Sequence, residues 1–572
     1  MCRQYLQFGF VNLTEKGAVS SLFPSGAIRG IIVEPASRRL EPVEVFLGVP
    51  YGGPPPRLGP PPPPRAWSGT RLADAFSPVC PQRYPDISNK SAALSKMPLG
   101  VYNELKATIP LLANQSEDCL YLNIYVPGSG ARGVEAPYAV VVWLGAAHEW
   151  GSGNTLDASV LGARTHLLVL TLNYRIGLLG YLTPNVKSDA VTRAGGAALL
   201  DVVAALRWVR TNIAAFGGDP NRVTLAGHSA GLISRVLLLS GSALSPAALA
   251  PDAALAREHT AQALRCVSES SDDDNWFVEC LRARPLAALL AVEAPRARFL
   301  AGWAPSVPRD AQGPAPVRAL HASDVFLDCA LAMVVATTES YEFFSEEDIR
   351  HGFEEEHRCI FAAIRNEYTD WEKPIQHPIN IRDATLEALA DAAAAAPALR
   401  LAQLHARRGA RTITSETLPY FLGLPLVGGS LYSSRNYSRG DVAVAEAAVA
   451  LLAAFAKTGD PSPRSDDRHH EIGWPRYELN TQQYLSIGTK VRVKSHYRGH
   501  KMALWLHLIP QLHRPGAAPR HHQFRAHNAD MFVEIDVAPL EAIVLIGFPF
   551  VSLFWHDNTT LGSETPTTLA TQ

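Results

Sequence analysis

The sequence predicts an α/β fold in which a mostly parallel central sheet is flanked by helices, and three features support this prediction. Apolar runs at residues 121–126, 139–144 and 167–172 have the length and composition of buried strands. Residues 198–216 carry apolar side chains at helical spacing and end in the turn sequence GGDP, after which residues 222–225 again resemble a strand. Because strand, helix and strand follow one another at this spacing, the strands are expected to pair in parallel through a crossover.

Composition indicates a globular protein. The chain has 572 residues, of which 47% are hydrophobic and 19% are charged, so it can bury a large core. Its formal net charge of −2 gives no whole-chain electrostatic reason to bind nucleic acid or an anionic membrane. A proline-rich stretch at residues 54–64 is predicted to be a stiff surface loop. The second half is predicted to be mainly helical, with helices at residues 441–457 and 501–513.

One short motif has the form of a catalytic turn. Residues 227–231 read GHSAG, a G-x-S-x-G pattern directly after a predicted strand. In this pattern the glycines permit a tight turn that lifts the serine, here Ser229, above the sheet as a nucleophile. The bare pattern also fits a small residue in a structural turn, so it needs support from the rest of the chain.

Longer stretches give that support. They read FLGVPY at residues 46–51, EDCLYLN at 117–123, NYRIG at 173–177, FGGDP at 216–220 and SGSA at 240–243. Together with the GHSAG turn, they resemble the type-B carboxylesterase and cholinesterase family. The resemblance implies an α/β-hydrolase fold for residues 26–514, with gaps relative to the family, between an N-terminal segment at 1–25 and a linker or tail at 515–572.

The resemblance also indicates that the catalytic triad is incomplete. In a serine hydrolase a histidine takes the proton of the serine, and an acid orients that histidine. Glu339 stands where the family has the acid, but Thr414 stands where it has the histidine, and a threonine hydroxyl cannot act as that base near neutral pH. Loss of one triad member typically lowers kcat by about 10⁴-fold to 10⁶-fold. The chain is therefore predicted not to be an enzyme.

Two further departures from the family agree with this prediction. The oxyanion loop of the family is rich in glycine, whereas residues 144–149 here read LGAAHE. Those side chains would crowd the loop, and the glutamate would repel developing negative charge. The helix that should follow the serine turn is also missing, because Gly231 leads almost directly into the next predicted strand.

The C-terminal sequence indicates one branch of the family. It reads YTDW at residues 368–371, QYLSIGTKVRVKSHYR at 483–498 and ALWLHLIPQLH at 503–513. These stretches resemble the neuroligins. The resemblance implies a catalytically inactive, synaptic cell-adhesion ectodomain on the extracellular face of the plasma membrane. It also implies a neurexin-like cell-surface partner, with calcium at the interface between the two proteins and no cofactor bound by the chain itself.

The same branch implies a homodimer that forms through two helices of each subunit. Residues 441–457 and 501–513 match these helices. Four apolar side chains are candidates for the shared seam: Val444, Leu452, Leu504 and Leu508. The alternative is that both helices only cover the sheet of their own subunit, and the residue pattern without the family favours this alternative.

Cysteines and sequons indicate an extracellular protein. The resemblance pairs four cysteines in two disulfides, Cys80 with Cys119 and Cys266 with Cys280, and leaves three unassigned, Cys2, Cys329 and Cys359. Candidate glycosylation sites are the asparagines of five Asn-X-Ser/Thr sequons: Asn12, Asn89, Asn114, Asn436 and Asn558. Neither a signal peptide nor a membrane-spanning helix is recognised, so membrane attachment is expected only through a segment absent from this sequence.

Two alternatives stay open at the level of sequence. Ser229 is present although neuroligins usually replace this serine, so a divergent secreted carboxylesterase that uses Ser229 and Glu339 is the second hypothesis. The third is a non-functional product, because sequence is missing relative to the family, most clearly after Gly231.

Overall fold

The structure is a computed structural model of the chain. It describes residues 14–34, 40–95, 97, 99–128, 136–145, 148–183, 190–227, 235–239, 242, 244–245, 248, 253–267, 274–294, 302–305, 330–335, 358–372, 378–406, 411–414, 418–427, 437–462, 473–488 and 490–512.

A large mixed sheet organises these residues. Its strands are β1 Thr14–Phe23, β2 Gly26–Glu34, β3 Val43–Pro50, β4 Thr70–Leu72, β5 Tyr121–Pro127, β6 Tyr138–Leu144, β7 Leu168–Leu172, β8 Gly218–Gly227, β9 Arg235–Leu239, β10 Ala330–Val335, β11 Arg411–Thr414, β12 Gln483–Ser486 and β13 Arg492–Ser495. Their spatial order is β1-β2-β3-β5-β7-β6-β8-β9-β10-β11-β12-β13, and β4 pairs with β2. All neighbours from β7 to β12 are parallel, whereas both ends of the sheet are antiparallel. The predicted α/β class with a mostly parallel centre is confirmed.

Helices flank this sheet. The α-helices are α1 Lys90–Leu94, α2 Leu99–Leu112, α3 Ser159–Thr165, α4 Gly177–Tyr181, α5 Ala190–Asn212, α6 Ala253–Ala263, α7 Asp274–Ala283, α8 Leu286–Leu290, α9 Arg358–Tyr368, α10 Pro378–Ala390, α11 Ala396–His405, α12 Leu418–Phe421, α13 Arg439–Thr458, α14 Gly499–Ala503 and α15 Ile509–Leu512. Short 3₁₀-helices lie at Gly153–Thr155, Ile213–Phe216 and Leu424–Val427. Helical turns of the π type, at Asp391–Ala395 and Leu504–Leu508, join α10 to α11 and α14 to α15.

The sheet separates two apolar layers, because successive side chains of a strand point to opposite faces. In β6, Val140 and Val142 belong to one buried cluster, whereas Val141 and Trp143 belong to the other. Helix α5 covers the first face and helix α13 covers the second. The apolar runs that predicted buried strands therefore form the centre of the core.

Local signals set the ends of helix α13. The Ser438 hydroxyl accepts a hydrogen bond from the Asp441 N–H at 3.2 Å, and the Asp441 carboxylate accepts one from the Ser438 N–H at 2.8 Å. This reciprocal pair is a capping box, which satisfies donors that the first helical turn leaves free. At the other end Gly459 adopts a φ of 81°, a left-handed conformation that favours glycine and ends the helix. The prediction of a helix at residues 441–457 is confirmed.

The N-terminal boundary of the predicted domain needs a correction. Strand β1 pairs antiparallel with β2, from Phe23 opposite Gly26 to Thr14 opposite Glu34. A strand that is hydrogen-bonded into the sheet belongs to the domain, so residues 14–25 are not a separate segment. Helical periodicity and apolar runs missed β1 because its sequence, TEKGAVSSLF, is short of apolar residues at its start.

The connection between β8 and β9 is unusually short. These strands are parallel neighbours, with Gly227 opposite Leu238, and only the seven residues 228–234 separate them. Parallel strands usually need a crossover of about a dozen residues or more. The residues of the serine turn itself lie outside the described ranges, but their number agrees with the predicted loss of the helix that follows this turn.

Candidate functional site

The candidate site lies at the edge of the sheet where its parallel strands end. Strands β8, β9, β10 and β11 run parallel, so their carboxyl ends share one edge, which is where α/β proteins place ligands and catalytic groups. Thr414 is the last residue of β11 and the register partner of Val335, the last residue of β10. Thr414 also pairs with Ser486 of β12. Position 414 is thus held in the backbone ladder of the sheet.

The other triad positions follow the same edge in chain order. Ser229 is the second residue after β8 and Glu339 the fourth after β10. The order nucleophile, acid, histidine is that of α/β-hydrolases, which puts the third member after the strand that contains Thr414. Ser229 and Glu339 lie outside the described residues, and Thr414 is described only by its backbone.

The loop after β6, where the oxyanion donors are expected, forms hydrogen bonds of its own. The Gly302 N–H donates to Glu149 Oε1 at 3.1 Å. The Gly151 N–H donates to Gln82 Oε1 at 2.8 Å, and Gln82 Nε2 donates to the Gly151 carbonyl at 3.0 Å. The Glu149 carboxylate is therefore fixed in this loop, and the backbone N–H of Gly151 is already bonded to the Gln82 side chain.

The histidine of this loop is a weak base. His148 packs edge-to-face on Tyr181 with 5.2 Å between ring centroids, and its carbonyl accepts the Gly177 N–H at 2.7 Å. Burial lowers the pKa of His148 to about 4. An imidazole with such a pKa is neutral at pH 7 and accepts a proton poorly, so His148 is a poor general base.

The family motifs build a buried polar network beside this edge. Asn123 Nδ2 donates to Asn154 Oδ1 at 3.2 Å, and Asn123 Oδ1 accepts the Gly48 N–H at 3.0 Å. Ser152 Oγ donates to Asn173 Oδ1 at 2.6 Å, and Asn173 Nδ2 reaches Asn154 Oδ1 at 3.3 Å. Because buried polar groups need partners, these amides hold four distant segments against one another.

A buried ion pair anchors the NYRIG motif to helix α5. Arg175 donates from Nε to Asp201 Oδ2 at 2.7 Å and from Nη2 to Asp201 Oδ1 at 2.6 Å. The two side chains are 5% and 0% exposed. Burial raises the pKa of Asp201, and the bonds from Arg175 oppose this shift. Arg175 Nη1 also donates to the Pro56 carbonyl at 3.2 Å, which holds the proline-rich loop in place.

Both predicted disulfides are present. Cys80 is bonded to Cys119 and Cys266 to Cys280. Arg57 links the two disulfide-bonded segments. It donates to both carboxylate oxygens of Glu117, near Cys119, at 2.8 and 2.7 Å, and to the carbonyl of Arg282, near Cys280, at 3.0 Å. Cys2 and Cys329 lie outside the described residues, and of Cys359 only the backbone is described.

Sequence comparison agrees with this architecture. The chain matches the model of the Carboxylesterase family over residues 19–505. The chain belongs to the carboxylesterase family.

Within this family, the chain is similar to several neuroligins. Neuroligin-3 of Mus musculus is 31% identical over 604 residues, which cover 89% of this chain and 71% of the relative. Neuroligin-2 of Homo sapiens is 32% identical over 577 residues, covering 85% and 67%. Neuroligin-1 of Caenorhabditis elegans is 30% identical over 587 residues, covering 86% and 72%. The predicted neuroligin branch of the carboxylesterase family is confirmed.

The side chains predicted for a dimer seam divide into two groups in this carboxylesterase fold. Leu452 is 1% exposed in the core between α13 and the sheet, and Leu504 is 5% exposed in a cluster beneath α14. These two are occupied by their own subunit and must be removed from the predicted seam. Val444 is half-buried, and Leu508 is 44% exposed, so both remain available to a partner.

Two of the predicted glycosylation sites are described, and both are exposed. Asn89 caps helix α1, with its Oδ1 accepting the Ala92 N–H at 3.1 Å. Asn114 lies in the turn between α2 and β5. Asn12, Asn436 and Asn558 lie outside the described residues.

A second buried polar network was not predicted from the sequence. The Tyr368 hydroxyl donates to Asp391 Oδ2 at 2.6 Å and accepts from Trp505 Nε1 at 2.8 Å. Arg498 Nη1 donates to Asp391 Oδ1 at 2.9 Å. Burial raises the pKa of Asp391 to about 7. The network holds the C-terminal helical segment against α9 and the end of α10. In the sequence, the one signal for it is Asp391, a single acid in the alanine-rich run ALADAAAAA.

Within the described ranges, no group of at least three His, Cys, Asp or Glu side chains is placed to hold a metal ion. None of the helices described there has both the length and the apolarity to span a bilayer.

Proposed function

We propose that this chain is a catalytically inactive, cholinesterase-like adhesion ectodomain that binds a neurexin-type partner at the cell surface, in the way the neuroligin branch implies. The observation that carries the proposal is the threonine at position 414, at the carboxyl end of β11 and beside Val335 of β10. A hydrolase of this fold needs a base there, since the serine hydroxyl is a weak nucleophile without one.

The loop after β6 supports the loss of catalysis. An oxyanion hole works by directing free N–H donors at a developing negative charge. Here Glu149 brings a carboxylate into that loop and Gln82 uses the N–H of Gly151. A carboxylate in this loop disfavours a developing negative charge, so a restored base alone would not rebuild the site.

Adhesion as the function rests on the relatives and on the surface that the fold leaves free. The chain is similar to neuroligins over most of its length. On the surface of the segment from α13 to α15, Val444 is half-buried and Leu508 is exposed, so both can contact a partner. We infer a homodimer through this surface and a calcium requirement at the partner interface. Among the described residues no group of three or more His, Cys, Asp or Glu side chains is placed to hold a metal ion, and the calcium requirement is drawn from the resemblance.

Binding to a neurexin ectodomain tests the proposal. The purified chain should bind an immobilised neurexin ectodomain in calcium buffer and lose binding when EGTA replaces calcium. The matched control is Ser229→Ala, which should bind equally well because adhesion does not use the serine hydroxyl. Absence of binding to every neurexin-type ectodomain tested, with the chain shown to be folded, would contradict the adhesion role.

The second candidate function is a divergent esterase. One observation favours it, since the GHSAG turn retains Ser229 after a strand that does end at Gly227. The low basicity of His148 and the threonine at position 414 weigh against it. Covalent labelling of Ser229 separates the two functions.

A further inference from the structure

The disulfide Cys266–Cys280 lies beside an arginine that has no carboxylate partner. Arg284 Nη2 is 3.6 Å from Cys280 Sγ and donates to the Arg265 carbonyl at 3.1 Å. Arg284 Nε is buried and has no hydrogen-bond partner among the described residues. None of the ion pairs in the described part of the chain includes Arg284. A positive charge in contact with a cysteine sulfur favours the thiolate over the thiol, so this disulfide has a neighbour that stabilises its reduced form.

The turn that ends α6 holds this arginine in place. Arg265 adopts a φ of 53°, and the Cys266 N–H donates to the Ala261 carbonyl at 2.7 Å, which is the pattern of a helix end where glycine is usual. The Arg265 carbonyl accepts from Arg284, and the Arg265 side chain is exposed directly before Cys266. Two arginines without carboxylate partners in the described residues therefore flank the disulfide, and they attract anions to it.

The two sulfurs differ in their access to solvent. Cys266 is 2% exposed, whereas Cys280, near the end of α7, is half-buried. A dissolved thiol can therefore approach Cys280 more easily than Cys266. The other disulfide is better shielded, since Cys80 and Cys119 are 2% and 0% exposed.

We propose that Cys280 is a site of thiol–disulfide exchange with small thiols that carry carboxylates, such as glutathione. In the first step a small thiolate bonds to Cys280 Sγ, the Cys266–Cys280 bond breaks, and Cys266 leaves as a thiolate that takes a proton from water. A second small thiolate then attacks the sulfur of the first. This step releases the disulfide of the small thiol and leaves Cys280 as a thiolate beside Arg284. The protein gains two electrons, and the two small thiols lose them.

The end of helix α7 opposes this chemistry. Cys280 lies near the carboxyl end of α7, where the helix dipole amounts to about half a negative charge and disfavours a thiolate. Arg284 places a full positive charge 3.6 Å from the sulfur, so the attraction exceeds the repulsion.

A purely structural role for Arg284 is the competing explanation. Its hydrogen bond to the Arg265 carbonyl ties the end of α6 to the end of α7. Such a tie needs this hydrogen bond alone, whereas exchange also needs the positive charge at the sulfur. The rate of exchange therefore distinguishes the two roles.

Reduction of the two disulfides by glutathione tests the proposal. The folded chain is incubated with reduced glutathione at about pH 8, where a usable fraction of the thiol is ionised. Free cysteines are alkylated at intervals and located by mass spectrometry of peptides. Cys266–Cys280 should be reduced before Cys80–Cys119, with glutathione on Cys280 as the intermediate. At equal thiolate concentration, glutathione should react faster than neutral 2-mercaptoethanol, and added salt should reduce this advantage.

Variants of two neighbouring arginines separate charge at the sulfur from total charge. Arg284→Gln should slow exchange with glutathione by about tenfold, and Arg284→Lys should retain most of the rate. The matched control is Arg282→Gln, at a guanidinium that pairs with Glu279 at 2.7 Å, and it should change the rate by less than about twofold. Circular dichroism and the melting temperature establish that each variant is folded.

Four results would each overturn the proposal. They are an equal or faster exchange in folded Arg284→Gln, an adduct on Cys266 in place of Cys280, earlier reduction of Cys80–Cys119, and no preference for glutathione over 2-mercaptoethanol. The assay contains no neurexin, so its failure would leave the adhesion role standing, and a failed neurexin assay would leave this site standing.

Discussion

Thr414 and Val335 are register partners at the carboxyl ends of two adjacent parallel strands. In an α/β-hydrolase the acid follows the first of these strands and the histidine follows the second. Here the acid candidate Glu339 is retained in the sequence, whereas Thr414, which the sequence predicts at the histidine position, lies within the backbone ladder. On the proposed function, this scaffold lacks the residue that would make the serine reactive.

The buried ion pair between Arg175 and Asp201 should contribute strongly to the free energy of unfolding of the chain. Removing one partner of a buried pair leaves an uncompensated charge, so Asp201→Asn is expected to lower the free energy of unfolding by about 3 to 5 kcal/mol. Urea denaturation followed by circular dichroism measures the loss. Replacing both partners by apolar residues, Arg175→Met/Asp201→Leu, should be less harmful than the single change.

The partly exposed pair Arg222–Asp219 provides the control for this prediction. Its side chains are 33% and 20% exposed, and Arg222→Gln should change the free energy of unfolding by less than about 1 kcal/mol. If Asp201→Asn were no more destabilising than Arg222→Gln, the ion pair would not have the role assigned to it.

His148 should make the protein sensitive to acid. Its pKa is lowered to about 4 in the folded chain and is about 6.5 in the unfolded chain, so the unfolded state binds more protons between these values. Stability is then fully present above about pH 6.5 and falls as the pH decreases towards 4, by at most about 3 kcal/mol. The measurement is the free energy of unfolding as a function of pH, compared between wild type and His148→Gln.

The variant His148→Gln should flatten this part of the pH profile. An acid transition of equal size in wild type and His148→Gln would assign the sensitivity to other groups.

The two disulfides should contribute unequally. They close loops with sequence separations of 39 and 14 residues, for Cys80–Cys119 and Cys266–Cys280 respectively. Loop-closure entropy predicts losses of about 4 and about 3 kcal/mol when each pair is changed to serine. Thermal unfolding of the two double variants measures these losses, with mass spectrometry of the wild type to count free thiols. A wild type with all seven cysteines free would contradict both pairings.

The remaining dimer candidates predict a specific variant. Leu508→Glu places a charge on an apolar side chain that is 44% exposed, so it should weaken self-association by about tenfold or more without unfolding the chain. Sedimentation equilibrium measures the dissociation constant. Leu479→Glu, at a leucine that is 53% exposed on another segment, is the matched control and should not affect association. A wild type that stays monomeric, or equal effects of both changes, would refute the proposed surface.

The strands of the sheet centre could be predicted from sequence because their environment is simple. The prediction at residues 139–144 differs from β6 by one residue, since every side chain of Tyr138–Leu144 is buried and apolar runs identify such strands. Strand β1 could not be predicted in the same way, because the serines and charged residues of TEKGAVSSLF give no apolar run, and its place depends on pairing with β2.

Partners that are distant in sequence set the limit for predicting the site. Asp201 is the only acid in the apolar helical stretch 198–216, which marks it as unusual but does not reveal Arg175 as its partner. The helix faces posed the same difficulty, because apolar spacing shows that Leu452 and Leu504 are buried without showing whether their own core or a second subunit covers them. Only the packed structure assigns both to the core of their own subunit.

Covalent labelling of Ser229 is the most direct test of a hydrolase fold without hydrolase chemistry. The folded chain is incubated with a fluorophosphonate probe, and tryptic peptides are examined by mass spectrometry beside Ser229→Ala and an active carboxylesterase. With threonine at position 414, the account predicts no adduct on Ser229 under conditions that label the active enzyme completely, and ester hydrolysis no faster than that of Ser229→Ala. Stoichiometric labelling of Ser229, abolished in Ser229→Ala, would contradict it and identify the chain as an esterase.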